Sequence, residues 1–449
     1  MPRTPHRCQE CGAATPRWVG RCPGCGAWGS LEPEAPPSGA VRLAAVDPAL
    51  AQPLPTGVGE VDRVLAGGLV PGSVCLLFGE PGVGKSTLLL QVLGAVAGGG
   101  RPALLVSAEE SASQVRSRAE RLGAMPELLY VLATTDLAAA LGSVAEVGPS
   151  LVVVDSVQTV LDRDLAAPAG ALSQVRRCLD AFAASARRTR AAVVLVGHVT
   201  KEGDPAGPRA LEHLVDTVLA FEGDRHHALR MLRAAKHRFG PAGEVGMFEM
   251  SDRGLADVAD PGPLLLGDRR PEVPGCAVTA LLEGRRSLAV EVQALACGAP
   301  GTSPRRTALG GDPRRLTTVV AVLQARAGIA LDGVEVFASV AGGLRAPEPA
   351  VDLPLALSVA SAVAGVPLPD DLVSFGEIGL AGEVRQVVGT ERRLAEAVRL
   401  GFTRALVPAT GPDGPPGIEV HRVSTVAEAV VAALRLRRRP EPALPTGAP

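Results

Sequence analysis

The run GEPGVGKST, Gly79 to Thr87, decides how the rest of this 449-residue chain is read. With Gly79, Gly84, Lys85 and Ser86 in register it matches the P-loop pattern of nucleotide-binding proteins. The apolar stretch Ser73 to Phe78 precedes it and is short enough for a buried strand, and TLLLQVLGAVA follows as a good helix opening. Strand, glycine loop and helix form the context that the motif needs. Gly79, Gly82 and Gly84 let the backbone turn its N–H groups inward around a phosphate, and the helix N-terminus adds partial positive charge at the same spot. Gly79, Glu80, Pro81, Gly82, Val83, Gly84, Lys85, Ser86 and Thr87 are therefore the expected ATP cradle. Lys85 is placed on the β- and γ-phosphates and the Ser86 hydroxyl on magnesium.

Three further apolar runs follow, and each ends on a polar residue suited to phosphate chemistry. Ala103 to Ser107 ends at Glu109 and Glu110, Leu151 to Val154 at Asp155, and Ala192 to Val196 at His198. In a parallel sheet such strand ends gather at one edge, where ligands bind. Asp155 fits the acid that orients the magnesium shell. Glu109 fits a general base for water, with Glu110 as its competitor. His198 is read either as a γ-phosphate sensor or as a structural histidine. Two polar segments, Leu161 to Arg177 and Lys201 to Arg209, leave the same edge and read as flexible, basic loops suited to a polymeric second ligand.

Composition narrows the classes. The formal net charge of -2 leaves no global basic footprint, so any nucleic-acid contact must be local. With no signal peptide and no membrane-length apolar run, the expectation is a cytoplasmic protein without a membrane partner. Of 45 basic residues only three are lysine, Lys85, Lys201 and Lys236. In so arginine-biased a chain, a retained lysine marks a place that needs a compact ammonium.

Cys8-x-x-Cys11 and Cys22-x-x-Cys25 lie ten residues apart and read as a four-thiolate zinc site, a redox dithiol pair being the alternative. So short a segment cannot bury a core, and structural zinc contributes roughly 10–16 kcal/mol in small fingers. Both tryptophans, Trp18 and Trp28, fall here. The expected organisation is a finger over 1–31, a linker over 32–53, an α/β ATPase core over 54–268, a second α/β domain over 269–436 and a disordered tail over 437–449.

The succession of a four-cysteine finger, TGVGEVDRVLAGGLVPGS, GEPGVGKSTLLLQ, SAEES, VVVDSVQTV, VGHVTKEG, LEHLVDTVL and KHRFG resembles the bacterial RadA/Sms DNA-repair family over nearly the whole chain. The resemblance implies a RecA-like, DNA-stimulated ATPase forming a homohexameric ring. It implies binding of single-stranded and branched DNA, and branch migration with the RecA recombinase. Within KHRFG (the family motif has asparagine where His237 stands), Lys236 and Arg238 would reach a neighbouring subunit's nucleotide. EGRRSLAVEVQAL and GEIGLAGEVRQV make the second domain similar to the proteolytic domain of Lon proteases. Ala350 and Glu391 stand where that domain's serine and lysine would be, and no lysine follows Lys236, so a Ser–Lys dyad is impossible. That discounts one alternative, an ATP-dependent protease; the other, an ATP-driven assembly regulator, would share the P-loop but would not need a zinc finger and basic loops together. DNA candidates are Arg163, Arg176, Lys201 and Arg209. Arg305, Arg306, Arg314, Arg315, Arg345 and Arg385 are a further track to be weighed against solvated or intersubunit arginines.

Overall fold

Residues 6–8, 10, 13–15, 18–33, 44, 47–198, 211–223, 229–298 and 304–436 are described by a computed structural model. The chain divides into two compact units, Met1–Gln52 and Pro53–Pro449.

In the first unit, β1 (His6–Cys8) pairs antiparallel with both β2 (Ala14–Thr15) and β3 (Leu31–Pro33). Its buried apolar cluster is only Cys8, Cys22 and Leu31 among the described residues, with Ala13 and Val19 packed against it. A unit this small needs a metal to hold it together.

The second unit opens with α1 (Gly59–Val64), β4 (Val74–Gly79), α2 (Lys85–Gly98), β5 (Ala103–Ser107), α3 (Ala112–Arg121), β6 (Leu129–Ala133), α4 (Leu137–Val147), β7 (Leu151–Asp155), α5 (Leu172–Thr189) and β8 (Ala192–His198). Four strands follow, β9 (Thr217–Glu222), β10 (Leu229–His237), β11 (Val245–Ser251) and β12 (Gly254–Asp257). Among the described residues these make a nine-stranded sheet in the order β12-β11-β10-β9-β4-β8-β7-β5-β6. From β9 to β6 every neighbouring pair is parallel. Both faces are covered, which is why the strands read as continuous apolar runs rather than alternating ones. Leu77, Leu105, Val153 and Val194 pack on one side with Leu88, Leu89 and Val92 of α2. Leu76, Leu104, Val152 and Leu195 pack on the other with Leu179 and Phe182 of α5.

The segment from Leu161 to Arg177 is not the open loop expected from its polarity. Its last six residues are the start of α5. Gln174, only 1% exposed, takes Asp162 N–H on its side-chain oxygen and donates to the carbonyls of Asp162, Leu165 and Ala167. A buried amide that satisfies four backbone groups fixes the turn it faces. Polar composition could not show that, because the ordering comes from the burial of one of the segment's own polar side chains.

After α6 (Gly262–Leu266) comes the Lon-like sheet. Its elements are β13 (Cys276–Glu283), β14 (Arg286–Gly298), β15 (Arg306–Leu309), α7 (Pro313–Ala327), β16 (Val334–Val340), α8 (Asp352–Ala364), β17 (Leu372–Ser374), a hairpin of β18 (Glu377–Ile378) and β19 (Val384–Arg385), α9 (Thr390–Arg399), β20 (Arg404–Pro408), β21 (Glu419–Val423) and α10 (Val426–Leu436). Its strand order is β15-β16-β14-β13-β17-β20-β21 among the described residues. Arg286 joins the two sheets: its Nη1 lies 2.8 Å from Glu60 Oε2, and Met247 N–H donates to the same oxygen at 2.8 Å. Glu60 is 3% exposed, so its charge is held by buried partners.

Candidate active site

The P-loop starts where β4 ends. A Cβ on Gly79 would lie 2.2 Å from the Phe221 carbonyl oxygen of β9, so only glycine passes that neighbour. Gly84 caps α2 at φ 114°, a left-handed conformation, and a Cβ there would meet Met250 Cε at 2.6 Å. Lys85 is 5% exposed and donates from Nζ to the carbonyls of Gly79 (2.8 Å) and Glu80 (3.1 Å). Burial pulls its pKa below that of an ordinary lysine, against the opposing fields of Asp155 and Glu109. Those fields put both carboxylates on the lysine's side of the sheet edge.

Ser86 Oγ donates to Asp155 Oδ2 at 2.5 Å, so the first turn of α2 and the end of β7 present a hydroxyl and a carboxylate together. Oxygen donors of that kind suit a hard divalent cation beside a phosphate. Next to them, Ser156 Oγ donates to Glu109 Oε1 at 2.7 Å, and Ala108 N–H donates to the Asp155 carbonyl at 2.8 Å. The exit of β5 is thereby tied to the exit of β7. The two neighbouring glutamates are unlike. Glu110 is ion-paired with Arg118 of α3 and braced through Ser107, whereas Glu109 is exposed and faces Ser156. His198 ends β8 in register with Gly79, which sets its backbone beside the start of the loop.

Arg230 is a component that the sequence alone did not single out. It sits on β10, 5% exposed, and donates from Nε to the Val83 carbonyl of the P-loop at 3.0 Å. One arginine among so many gives no signal in a sequence without a motif around it. Ser156 and Gln174 escaped notice for the same reason.

In the first unit, the thiol sulfurs of Cys8, Cys22 and Cys25 all lie within 4.8 Å of one another, with Cys8 and Cys25 3.7 Å apart. Tetrahedral zinc with bonds of about 2.3 Å sets sulfurs roughly 3.8 Å apart, whereas a disulfide needs about 2.05 Å. Gly24 N–H donates to Cys22 Sγ at 3.3 Å, as a metal knuckle requires. The donor set fits zinc. Cys11 lies outside the described residues.

A model described as "AAA domain" matches residues 55–204, and one described as "Rubredoxin metal binding domain" matches 6–33. A third, "Subunit ChlI of Mg-chelatase", matches 320–411. The chain is 47% identical over 444 residues to DNA repair protein RadA of Mycobacterium tuberculosis (strain ATCC 25618 / H37Rv), covering 95% of this chain and 92% of that one. It is 43% identical over 447 residues to DNA repair protein RadA of Bacillus subtilis (strain 168), covering 95% and 98%. The chain belongs to the RadA family of DNA repair proteins. A solved structure titled "Crystal structure of the RadB recombinase" aligns with 46% of this chain and 99% of its own at 26% identity, with a TM-score of 0.38. The RadA-family architecture of zinc ribbon, RecA-like ATPase and Lon-like domain accounts for the elements described above.

The remaining candidates of this RadA-family chain fall into three groups. The first lies far from the chain's own P-loop. His237 pairs with Thr217, and Thr217 pairs with Cys75, the start of β4 rather than its end. Lys236, level with Leu76, is therefore about 10 Å along the strands from Gly79, and Arg238, beyond the level of Cys75, about 13 Å or more, taking 3.3 Å per residue. Lys236 Nζ donates to the carbonyls of Glu212 (2.6 Å) and Val215 (2.9 Å), and Arg238 Nη1 donates to Asp216 Oδ1 at 3.0 Å. His237 is buried against Thr217 Oγ1 at 3.0 Å, and burial lowers its pKa.

The second group is the basic candidates. Arg163 is exposed and 3.6 Å from Asp136, and Arg176 is exposed on α5, not on a loop. Lys201 and Arg209 lie outside the described residues. Of the six candidate arginines in the Lon-like part, Arg306 donates to carbonyls at Leu331 and Val334, Arg315 grips Asp352, and Arg385 pairs with Glu383. Arg305 makes only a loose pair with Glu335 at 3.9 Å, and Arg314 and Arg345 are exposed.

The third group is the would-be peptidase positions. Ala350 is fully buried in an apolar cluster and Glu391 is exposed at the start of α9. Ala350 offers no hydroxyl nucleophile and Glu391 no amine base.

Proposed function

We propose that this chain is a DNA-stimulated ATPase of recombinational repair, one that binds single-stranded DNA and drives branch migration together with the RecA recombinase as a homohexameric ring. The observation that carries the reading is the tie between the nucleotide edge and the segments leaving it. The pairs Ser86–Asp155 and Ser156–Glu109 are joined through the Asp155–Ser156 peptide and the Ala108 N–H bond to the Asp155 carbonyl, and the chain runs directly from Ser156 into the 157–171 turn. A change at the γ-phosphate is then felt by the segment best placed to touch a polymer.

In this reading Lys85 holds the β- and γ-phosphates, while Ser86 and Asp155 hold magnesium, which neutralises charge developing on the transferred group. Glu109 is the base for the attacking water. Glu110 is unsuited, because its carboxylate is engaged by Arg118 rather than turned to a water. Arg238, aided by Lys236, serves the neighbouring subunit's nucleotide, a role that agrees with its distance from its own. Arg163, Arg176, Lys201 and Arg209 supply phosphate contacts, so DNA affinity is poorly sequence-specific and falls steeply with salt. Steady-state ATP turnover of the pure protein, with and without single-stranded DNA, tests the reading. Lys85→Ala should remove turnover, and turnover indifferent to DNA would refute the motor.

A further inference from the structure

The finger keeps its two largest apolar side chains out of its own core. Trp18 is 59% exposed and Trp28 76%, while the core beside them is built on Cys8, Cys22 and Leu31. A unit short of apolar burial that leaves two indoles in water has placed them for a partner. The two rings converge. Gly20 lies between them, and a Cβ there would meet Trp28 at 3.5 Å and Trp18 at 3.9 Å. Gly20 thus gives the pair a floor without a side chain. The platform is also fixed in place. Arg21 and Trp28 face each other across an antiparallel bridge, Gly29 N–H donates to the Gly20 carbonyl at 3.0 Å, and Cys22 N–H to the Ala27 carbonyl at 2.8 Å. The exposed Arg21 guanidinium sits 5.9 Å from the Trp28 ring centre and is held there by an Nε–H bond to the Gly26 carbonyl at 2.9 Å.

Charge selects the partner class. The first 31 residues contain four arginines and one acidic residue, Glu10, in a chain whose net charge is -2. A four-thiolate zinc centre would contribute about two negative charges inside the finger, leaving its surface cationic. Exposed indole faces with a guanidinium beside them match the chemistry of unpaired nucleobases on a phosphate backbone. An acidic protein segment would use the arginines but not the flat faces. We infer that Trp18, Trp28 and Arg21 form a base-stacking platform for single-stranded DNA on the zinc finger, separate from the contacts of the ATPase core.

This rests on the single-strand binding proposed above, and one experiment separates the two. The chain has only two tryptophans, so its intrinsic indole emission reports on the finger alone. The full-length, zinc-loaded protein is titrated with an end-labelled oligo-dT. Label anisotropy reads total binding and indole emission reads the platform. Both signals should move together, and an abasic strand of equal length should raise anisotropy without quenching the indoles. Trp18→Ala/Trp28→Ala, checked for unchanged zinc content, should weaken oligo-dT about five-fold or more, and Trp18→Phe/Trp28→Phe should restore most of that loss. Rising anisotropy with unchanged indole emission would overturn the platform while leaving single-strand binding intact. No rise in anisotropy would overturn both. Quenching by a purified recombinase but not by oligo-dT would make the surface a protein-docking one and also overturn the inference.

Discussion

If Arg238 acts on the nucleotide of a neighbour, two dead proteins should make a live one. The perturbation is a mixture of Lys85→Ala subunits, whose P-loop is crippled, with Arg238→Ala subunits, whose P-loop is intact. Arg238 lies on the opposite sheet edge from its own Gly79, about 13 Å or more away along the strands, so a role within one chain is geometrically closed. In a head-to-tail ring each interface joins one subunit's P-loop to the next subunit's arginine. At equal mixing, half the P-loops are intact and half the facing arginines are present, so about one quarter of interfaces are whole whatever the ring size. Each variant alone should fall roughly 10³-fold or more, the usual worth of an arginine finger. The mixture should then recover about a quarter of the parental DNA-stimulated turnover, roughly 250-fold or more above either component. Arg238 suits the test because its side chain is 55% exposed and its pair with Asp216 contributes at most about 1 kcal/mol. Lys236 does not, since its ammonium holds two backbone carbonyls and its loss would loosen the turn before β9. The assay is steady-state phosphate release from co-expressed, re-purified mixtures over a range of ratios. Activity that stays at the sum of the two variants at every ratio would refute action across subunits.

Three other outcomes follow from the geometry. Glu109→Gln should lower DNA-stimulated ATP turnover by about 10²–10⁴-fold with little change in nucleotide affinity, while Glu110→Gln should disturb chiefly the Arg118 pair; equal effects on turnover would undo the assignment of the base. Cys22→Ala should release zinc, read by metal analysis, and make the first unit protease-sensitive; full zinc retention would rule out the thiolate centre. Arg286→Met leaves the buried Glu60 carboxylate, among the described residues, with Arg63 and the Met247 N–H, and should lower stability by about 2–4 kcal/mol, with Glu60→Gln rescuing part of the loss in a thermal-unfolding cycle.

What the sequence made legible follows a physical rule. Functions that require a fixed spacing along the chain were readable, because spacing is what a sequence records. Gly79 to Ser86 must be contiguous to wrap a phosphate. Cys22 and Cys25 must be three apart to meet one ion, and in the structure their sulfurs do converge with that of Cys8. The polar residues at strand ends were readable for a related reason, since parallel strands deliver their C-terminal ends to one edge whatever the connections between them. Groups that act through a single long-range contact were not readable. Arg230 reaches the P-loop from a position 147 residues away, and Arg286 reaches Glu60 across 226. Neither has a local pattern, and in a chain with 45 Lys and Arg neither stands out by type. The polarity of 161–177 misled for a different reason. Polar residues predict a mobile loop only when no buried amide takes up the backbone groups, and polarity alone does not show that Gln174, in the first turn of α5 within the same segment, is the one that is buried. The retained lysines show the rule working in reverse. Lys85 and Lys236 both end as buried or half-buried ammonium groups donating to two carbonyls apiece, a task in which a compact, rotatable donor set fits and a planar guanidinium does not. Codon drift that turns lysine into arginine elsewhere would be resisted at such positions, so composition alone pointed to two places where the packing has no room for the substitute.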